Sequence, residues 1–196
     1  DLAFYVSALC LLQEATGNQE YLALAAEIME CILTSFSEED SGFFYFTPIQ
    51  QQDIIVRKME TVDGATPSGN SVMVNNLLYL GTLLNKQAWK ERAMKMLACM
   101  QQSICKYPTS FGKWGMCLQL AVYGLQEIAI VGQLSGQLAK KVLYAYLPNK
   151  VLQQCVVANE EFPLLAGKNT GDKTLIFVCE NYACKKPVEK VEELLR

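Results

Sequence analysis

Five helical segments in the first two thirds of this chain alternate between two characters, and that alternation restricts the fold more than any other feature. Residues 1–16 are apolar on nearly every side, interrupted only by Ser7, Gln13 and Glu14. Residues 20–36 carry a polar stripe of Glu20, Glu27, Glu30 and Thr34 opposite Leu22, Ala25, Met29, Ile32 and Phe36. Residues 68–85 have no charge. Residues 86–106 place Lys90, Glu91, Arg92 and Lys95 opposite Trp89, Ala93, Leu97, Met100 and Ile104, and residues 113–127 are again uncharged between their ends. A helix with no polar face has to be covered on all sides, whereas an amphipathic one can face water. A simple up-down bundle makes all its helices amphipathic. The order buried, amphipathic, buried, amphipathic, buried instead predicts a mainly α chain: part of an (α/α) toroid of helical hairpins, with the charge-free helices around a shared axis.

The connections fit that arrangement. Gly17 stands where a helix C-terminus needs a left-handed residue. Between the second and third helices, the β-rich runs 43–47 and 53–58 are spaced for a β-hairpin insertion near 42–58. After Glu127 the pattern changes. Residues 128–132, 151–157 and 174–179 read as strands, with a helix from Ser135 to Tyr146 and a final one from Pro187 to Leu195. The expected division is therefore residues 1–127 for the hairpins and 128–196 for a small α/β tail.

Composition narrows the class of function. The chain has 196 residues, half of them hydrophobic, and a net charge of −3 without a basic face, which argues against nucleic acid as a partner. The two uncharged stretches read as buried helices, so no membrane association is expected. Residues 1–6 have neither the basic region nor the cleavage site of a signal peptide and read as a chain cut just before a helix. Eight cysteines are scattered among Leu, Met and Ala, as expected of thiols packed as small hydrophobes in the cytoplasm or another reducing intracellular compartment. There is no histidine, which removes the commonest general base and the commonest metal ligand. No cofactor or metal is expected.

The most distinctive stretch is Asp63-Gly64-Ala65-Thr66-Pro67-Ser68-Gly69-Asn70-Ser71. With Arg57, Gly42-Phe43-Phe44 and Cys179-Glu180-Asn181-Tyr182-Ala183-Cys184-Lys185-Lys186-Pro187-Val188, it resembles the YyaL family, which also contains spermatogenesis-associated protein 20. The resemblance implies a thioredoxin-like N-terminal domain followed by a six-hairpin, glycosidase-like barrel, of which this chain supplies the last hairpins and the tail. The upstream thioredoxin-like domain and the remaining hairpins would then be its partners. Such barrels are similar to those of glycoside hydrolases and sugar epimerases, which makes the expected function carbohydrate-active or carbohydrate-binding. The alternative is a non-catalytic interaction or regulatory scaffold coupled to the thioredoxin-like domain.

Several residues are candidates for chemistry. Ser68 is suited to cap the third helix, and Asn70 then sits in its first turn, where free N–H groups and the positive dipole end favour hydroxyls or anions. Asp63, Ser68 and Asn70 are suited to sugar hydroxyls, and Arg57 to pairing Asp63 or a ligand anion. The same residues also make an ordinary helix cap, and the sequence leaves both readings open. Glycoside hydrolysis needs two carboxyl groups, roughly 5–9.5 Å apart depending on stereochemistry. The rim offers Asp63 and Glu60 as catalytic candidates, with Asp1 as a further ligand-binding carboxylate. Of the aromatic residues near the rim, Trp114 is the one expected to face the cavity. Cys179 and Cys184 read by default as structural thiols, because C-x4-C lacks the further ligands of a zinc site. Through the family resemblance they become a possible redox pair for the thioredoxin-like domain. The 132–136 run Gly-Gln-Leu-Ser-Gly follows a strand but lacks the lysine of a phosphate-binding loop.

Overall fold

The computed structural model describes residues 1–180 and 183–194. The elements are α1 (Leu2–Thr16), α2 (Glu20–Ser35), α3 (Gly69–Leu83), α4 (Gln87–Lys106), a 3-10 turn (Pro108–Ser110), α5 (Gly112–Tyr123), β1 (Gln126–Val131), α6 (Ser135–Tyr144), β2 (Lys150–Cys155), β3 (Leu175–Glu180), β4 (Ala183–Cys184) and α7 (Val191–Leu194). About half of the residues are helical, with one small mixed sheet. Among the described residues, no helix is long and apolar enough to cross a membrane.

The alternation of helix character is matched in packing at α2, α3 and α4 but not at α1 and α5. Charge-free α3 lies between α1 and α5, with α4 against it as well, and α2 packs on α1. As a result α3 buries twelve of its fifteen residues, including Val72, Met73, Leu77 and Leu80. Glu27 on α2 is exposed, as its place on the polar stripe requires. Of the charge-free helices, α3 is the most fully covered, with α1, α4 and α5 all packed against it. Phe4, Tyr5, Leu11 and Leu12 on α1 remain exposed, as do Met116, Val122 and Tyr123 on α5.

The turn from α1 to α2 depends on Gly17. Its φ of 76° is the left-handed conformation that closes a helix, and its N–H donates to the Gln13 carbonyl at 2.8 Å. A Cβ there would also meet Gln154 Cγ at 2.9 Å. At the start of α3, Ser68 is extended, and its Oγ accepts the N–H of Ser71 at 3.2 Å.

The hairpin expected over 42–58 does not form. The segment is a loop whose single β-bridge joins Ser37 to Phe44. Two guanidinium groups take the place of a second strand. Arg92 donates to the carbonyls of Gly42 (2.8 Å) and Phe43 (3.1 Å) and lies over the Phe44 ring. Arg57 donates to the carbonyls of Thr47 (2.7 Å) and Ser35 (3.3 Å) and stacks on Tyr45. With their carbonyls satisfied, these residues need no ladder, and Ile55 and Val56 are left in solvent.

Glu38 pins the start of the same loop. Its carboxylate accepts the side-chain hydroxyl and N–H of Ser41 and the N–H of Asp40. These bonds favour the charged form and hold its pKa down at about 2, against an ordinary value of 4.5. Because the folded pKa is depressed, the contribution is complete above the ordinary value and fades as pH falls towards 2. An NMR titration of the Glu38 side chain is expected to show a midpoint near 2. Ser41→Ala should move that midpoint back towards the ordinary range, and an ordinary midpoint in the wild type would refute the assignment.

The tail sheet has the strand order β2-β1-β3-β4. β1 and β2 are parallel, from Gln126↔Lys150 to Val131↔Cys155, and joined by the crossover helix α6, while β3 runs antiparallel to β1. One face, with Ile128, Ile130, Leu152 and Ile176, packs on Ala139 and Val142 of α6 and Val191 of α7. The other face, with Ala129, Val131, Val151 and Cys179, joins the helical core. The open edge of β2 is covered by the end of α1. Gln13 Nε2 donates to the Leu152 carbonyl (2.9 Å), Gln19 Nε2 to the Gln154 carbonyl (3.1 Å), and Gln154 Nε2 to the Glu14 carbonyl (3.2 Å). The division placed at 127 falls one residue past the start of β1. The last helix is shorter than the expected 187–195, since α7 spans Val191–Leu194, and Leu195 lies outside the described residues.

Candidate functional site

The loop before α3 is organised by Asp63. Its backbone N–H donates to the Ser110 carbonyl (2.9 Å), which fixes the side chain between the N-termini of α3 and α5. Oδ1 accepts the Ser68 N–H (2.8 Å) and the Ser71 hydroxyl (2.7 Å), while Oδ2 accepts the Lys113 N–H (2.8 Å) and more loosely the Trp114 N–H (3.4 Å). One carboxylate thus caps two helices, where the dipole ends favour negative charge. The pairing with Arg57 that the sequence suggested does not occur, because Arg57 is turned to the Thr47 and Ser35 carbonyls.

The other rim candidates are similarly engaged. Ser68 Oγ donates to the Thr61 carbonyl besides capping α3. Asn70 is buried; its Oδ1 accepts the Phe44 N–H (2.8 Å) and its Nδ2 donates to the carbonyls of Phe44 (3.0 Å) and Glu60 (2.8 Å). The Glu60 side chain is exposed. Trp114, expected to face the cavity, is instead completely buried. Its Nε1 donates to the Thr61 carbonyl at 2.6 Å and its ring meets Phe43 edge-on at 5.9 Å. An indole in a packed core needs such a partner for its N–H, and Thr61 supplies it.

A cleft of about 320 Å³ opens beside this loop. Asp1, Phe36, Tyr45, Phe46, Asn70 and Met73 are among its lining residues. It brings together two of the expected ligand-binding residues, Asp1 and Asn70, but excludes Asp63, Glu60, Arg57, Ser68 and Trp114. Asp1 is the single carboxylate on its wall. Phe46 is half exposed and Tyr45 has one face occupied by Arg57.

A second polar cluster lies where α1, α3 and β2 meet. Tyr79 donates to Glu14 Oε1 at 2.8 Å, and Lys150 pairs with Glu14 Oε2 at 3.5 Å. Burial, reinforced by the Glu14 charge, pushes the Tyr79 hydroxyl well above its ordinary pKa, so it stays protonated as a donor. Burial and the Glu14 charge likewise push the Cys10 thiol to about 12. The sequence marked this cluster only through Glu14, a carboxylate in an otherwise uncharged helix that has to find a partner.

The default reading of the late cysteines is corrected: Cys179 and Cys184 are joined by a disulfide. Asn181 and Tyr182 of the same motif lie outside the described residues. Of the six free thiols, Cys10 and Cys117 are buried, but Cys31, Cys99 and Cys105 are exposed, so packing as small hydrophobes describes only some of them.

No family model matches the chain. It is similar over 99% of its length to protein B0495.5 of Caenorhabditis elegans, at 27% identity, and to spermatogenesis-associated protein 20 of Rattus norvegicus and Homo sapiens, at 26% and 25% identity. Distant homology to spermatogenesis-associated protein 20 thus covers nearly the whole chain. The chain spans about a quarter of the length of these relatives.

Proposed function

We propose that the chain belongs to a carbohydrate-binding (α/α) barrel, with α1 to α5 as the last hairpins of a six-hairpin toroid that the rest of a longer protein completes. The observation that carries this reading is the cleft beside α3, whose wall includes both a half-exposed aromatic ring, Phe46, and the Asp1 carboxylate. Aromatic rings stack on the apolar faces of sugars, and a carboxylate accepts from their hydroxyls. The exposed apolar faces of α1 and α5 are assigned to the remaining hairpins, which would cover them. The one carboxylate that this chain contributes to the cleft supports binding. Hydrolysis would need a second, contributed from elsewhere in the barrel. The exposed thiols Cys31, Cys99 and Cys105 suit a reducing intracellular compartment.

Calorimetry with cellotriose and maltotriose on the full-length protein tests the reading. Binding of at least one is expected, and Phe46→Ala should weaken it about tenfold, equivalent to about 1.4 kcal/mol. No heat with either sugar, or an unchanged affinity in the variant, would remove its support. The alternative is a non-catalytic scaffold, with which the internal engagement of the Asp63 and Asn70 hydrogen-bonding atoms is equally compatible. Loss of a protein partner on Phe46→Ala, without any sugar affinity, would support it.

A further inference from the structure

The far edge of the tail sheet carries a sulfur pair whose two ends differ. Cys184 on the outermost strand β4 stands opposite Cys179 at the end of β3. Cys184 is exposed, while Cys179 is 1% exposed and packed into the helical core. Lys168, from the connection between β2 and β3, lies with its Nζ 3.5 Å from Cys184 Sγ and 5.3 Å from the centre of the Phe177 ring. Burial lowers the Lys168 pKa, with the Glu127 charge acting the other way. Behind the pair, a cleft of about 310 Å³ is walled by Tyr123, Leu147, Pro148, Val178, Cys179 and Lys185, among others. A structural staple needs neither an exposed sulfur nor a cation beside it. An exchanging pair is served by both: a sulfur reachable by a partner can attack, and a positive charge beside it raises its thiolate fraction, while the withheld sulfur resolves.

We propose that Cys184 and Cys179 perform reversible thiol–disulfide exchange with a protein disulfide. Cys184 is the nucleophile, Cys179 the resolving thiol and Lys168 the positioning residue that stabilises the Cys184 thiolate. In the reduced protein, Cys184 S⁻ attacks one sulfur of the partner disulfide. The partner S–S bond breaks as the mixed disulfide forms, and the released partner sulfur takes a proton from water. Cys179 then loses its proton to water and attacks Cys184 Sγ. The internal disulfide forms, and the second partner sulfur leaves as a thiolate and is protonated. The net result is a partner disulfide reduced to a dithiol and the Cys179/Cys184 dithiol oxidised, with two protons passed to the partner. The same steps run backwards when the partner is the stronger reductant. The cleft beside Cys179 seats the partner residues that flank its cysteine.

The test uses the full-length protein with glutathione disulfide and dithiothreitol as probes and peptide mass spectrometry to follow each cysteine separately. Millimolar dithiothreitol should reduce the pair without unfolding the protein, and glutathione disulfide should restore it. In Cys179→Ser, Cys184 should be trapped as a mixed disulfide with glutathione. The pH dependence of its alkylation should give a pKa below the ordinary value of about 8.5. Lys168→Met should raise that pKa and slow mixed-disulfide formation, and Lys168→Arg should retain both. A pair that stays oxidised in dithiothreitol until the protein unfolds would overturn the proposal. So would an alkylation profile that Lys168→Met leaves unchanged.

Discussion

Trp114→Ala is expected to lower stability by about 3–5 kcal/mol, because it empties the space of a fully buried indole. For a chain of this size the melting midpoint should fall by roughly 10 °C or more. The loss has two parts. The cavity exposes Phe43 and α3 to a void, and the Thr61 carbonyl loses its indole donor, keeping only the Ser68 hydroxyl at 3.2 Å. Trp114→Phe separates the two, since it keeps most of the packing and loses the hydrogen bond, so a cost of about 1–2 kcal/mol is expected. Chemical denaturation of both variants provides the measurement. If Trp114 lined a sugar cleft, as its position beside the rim loops suggested, alanine would reduce ligand affinity at nearly unchanged stability. That outcome would overturn the core assignment.

Asp63→Ala is expected to cost about 2–3 kcal/mol, more than a single helix cap, because the carboxylate serves two helix N-termini at once. Each lost cap contributes about 1 kcal/mol. The remainder comes from N–H groups of Ser68 and Lys113 left without their acceptor. Asp63→Asn should fall between wild type and alanine, since its one carbonyl oxygen can serve α3 or α5 but its amide would face the other set of N–H donors. Hydrogen exchange gives the sharper readout. Protection should drop together at the starts of α3 and α5, two regions about forty residues apart in sequence. Loss confined to α3 would mean that Asp63 is a local cap only, and loss of sugar binding with full protection would restore it as a ligand residue.

These two residues also mark where sequence reasoning reached its limit. The helices were legible because periodicity is local: the polar stripe of α2 and the absence of charge in α3 follow from residues within a few turns of one another. The cap at Ser68 was legible for the same reason. The hairpin over 42–58 was misjudged because β-rich composition does not form a strand without a partner, and Arg57 and Arg92 satisfied the carbonyls first. Trp114 was placed on the wrong side of its helix because an uncharged helix has no polar stripe from which to orient it.

By itself, then, the sequence determined the helical segments, the polar stripes of α2 and α4, the turn at Gly17 and the presence of an α/β tail. All of these arise from interactions between near neighbours along the chain. Only the tertiary structure decided that Asp63 serves Lys113 fifty residues away, that β1 is flanked by β2 and β3, and that Lys168 lies beside Cys184. A carboxylate, a strand edge or an ammonium group accepts whichever complementary group the fold delivers. Spacing along the chain does not encode which one arrives.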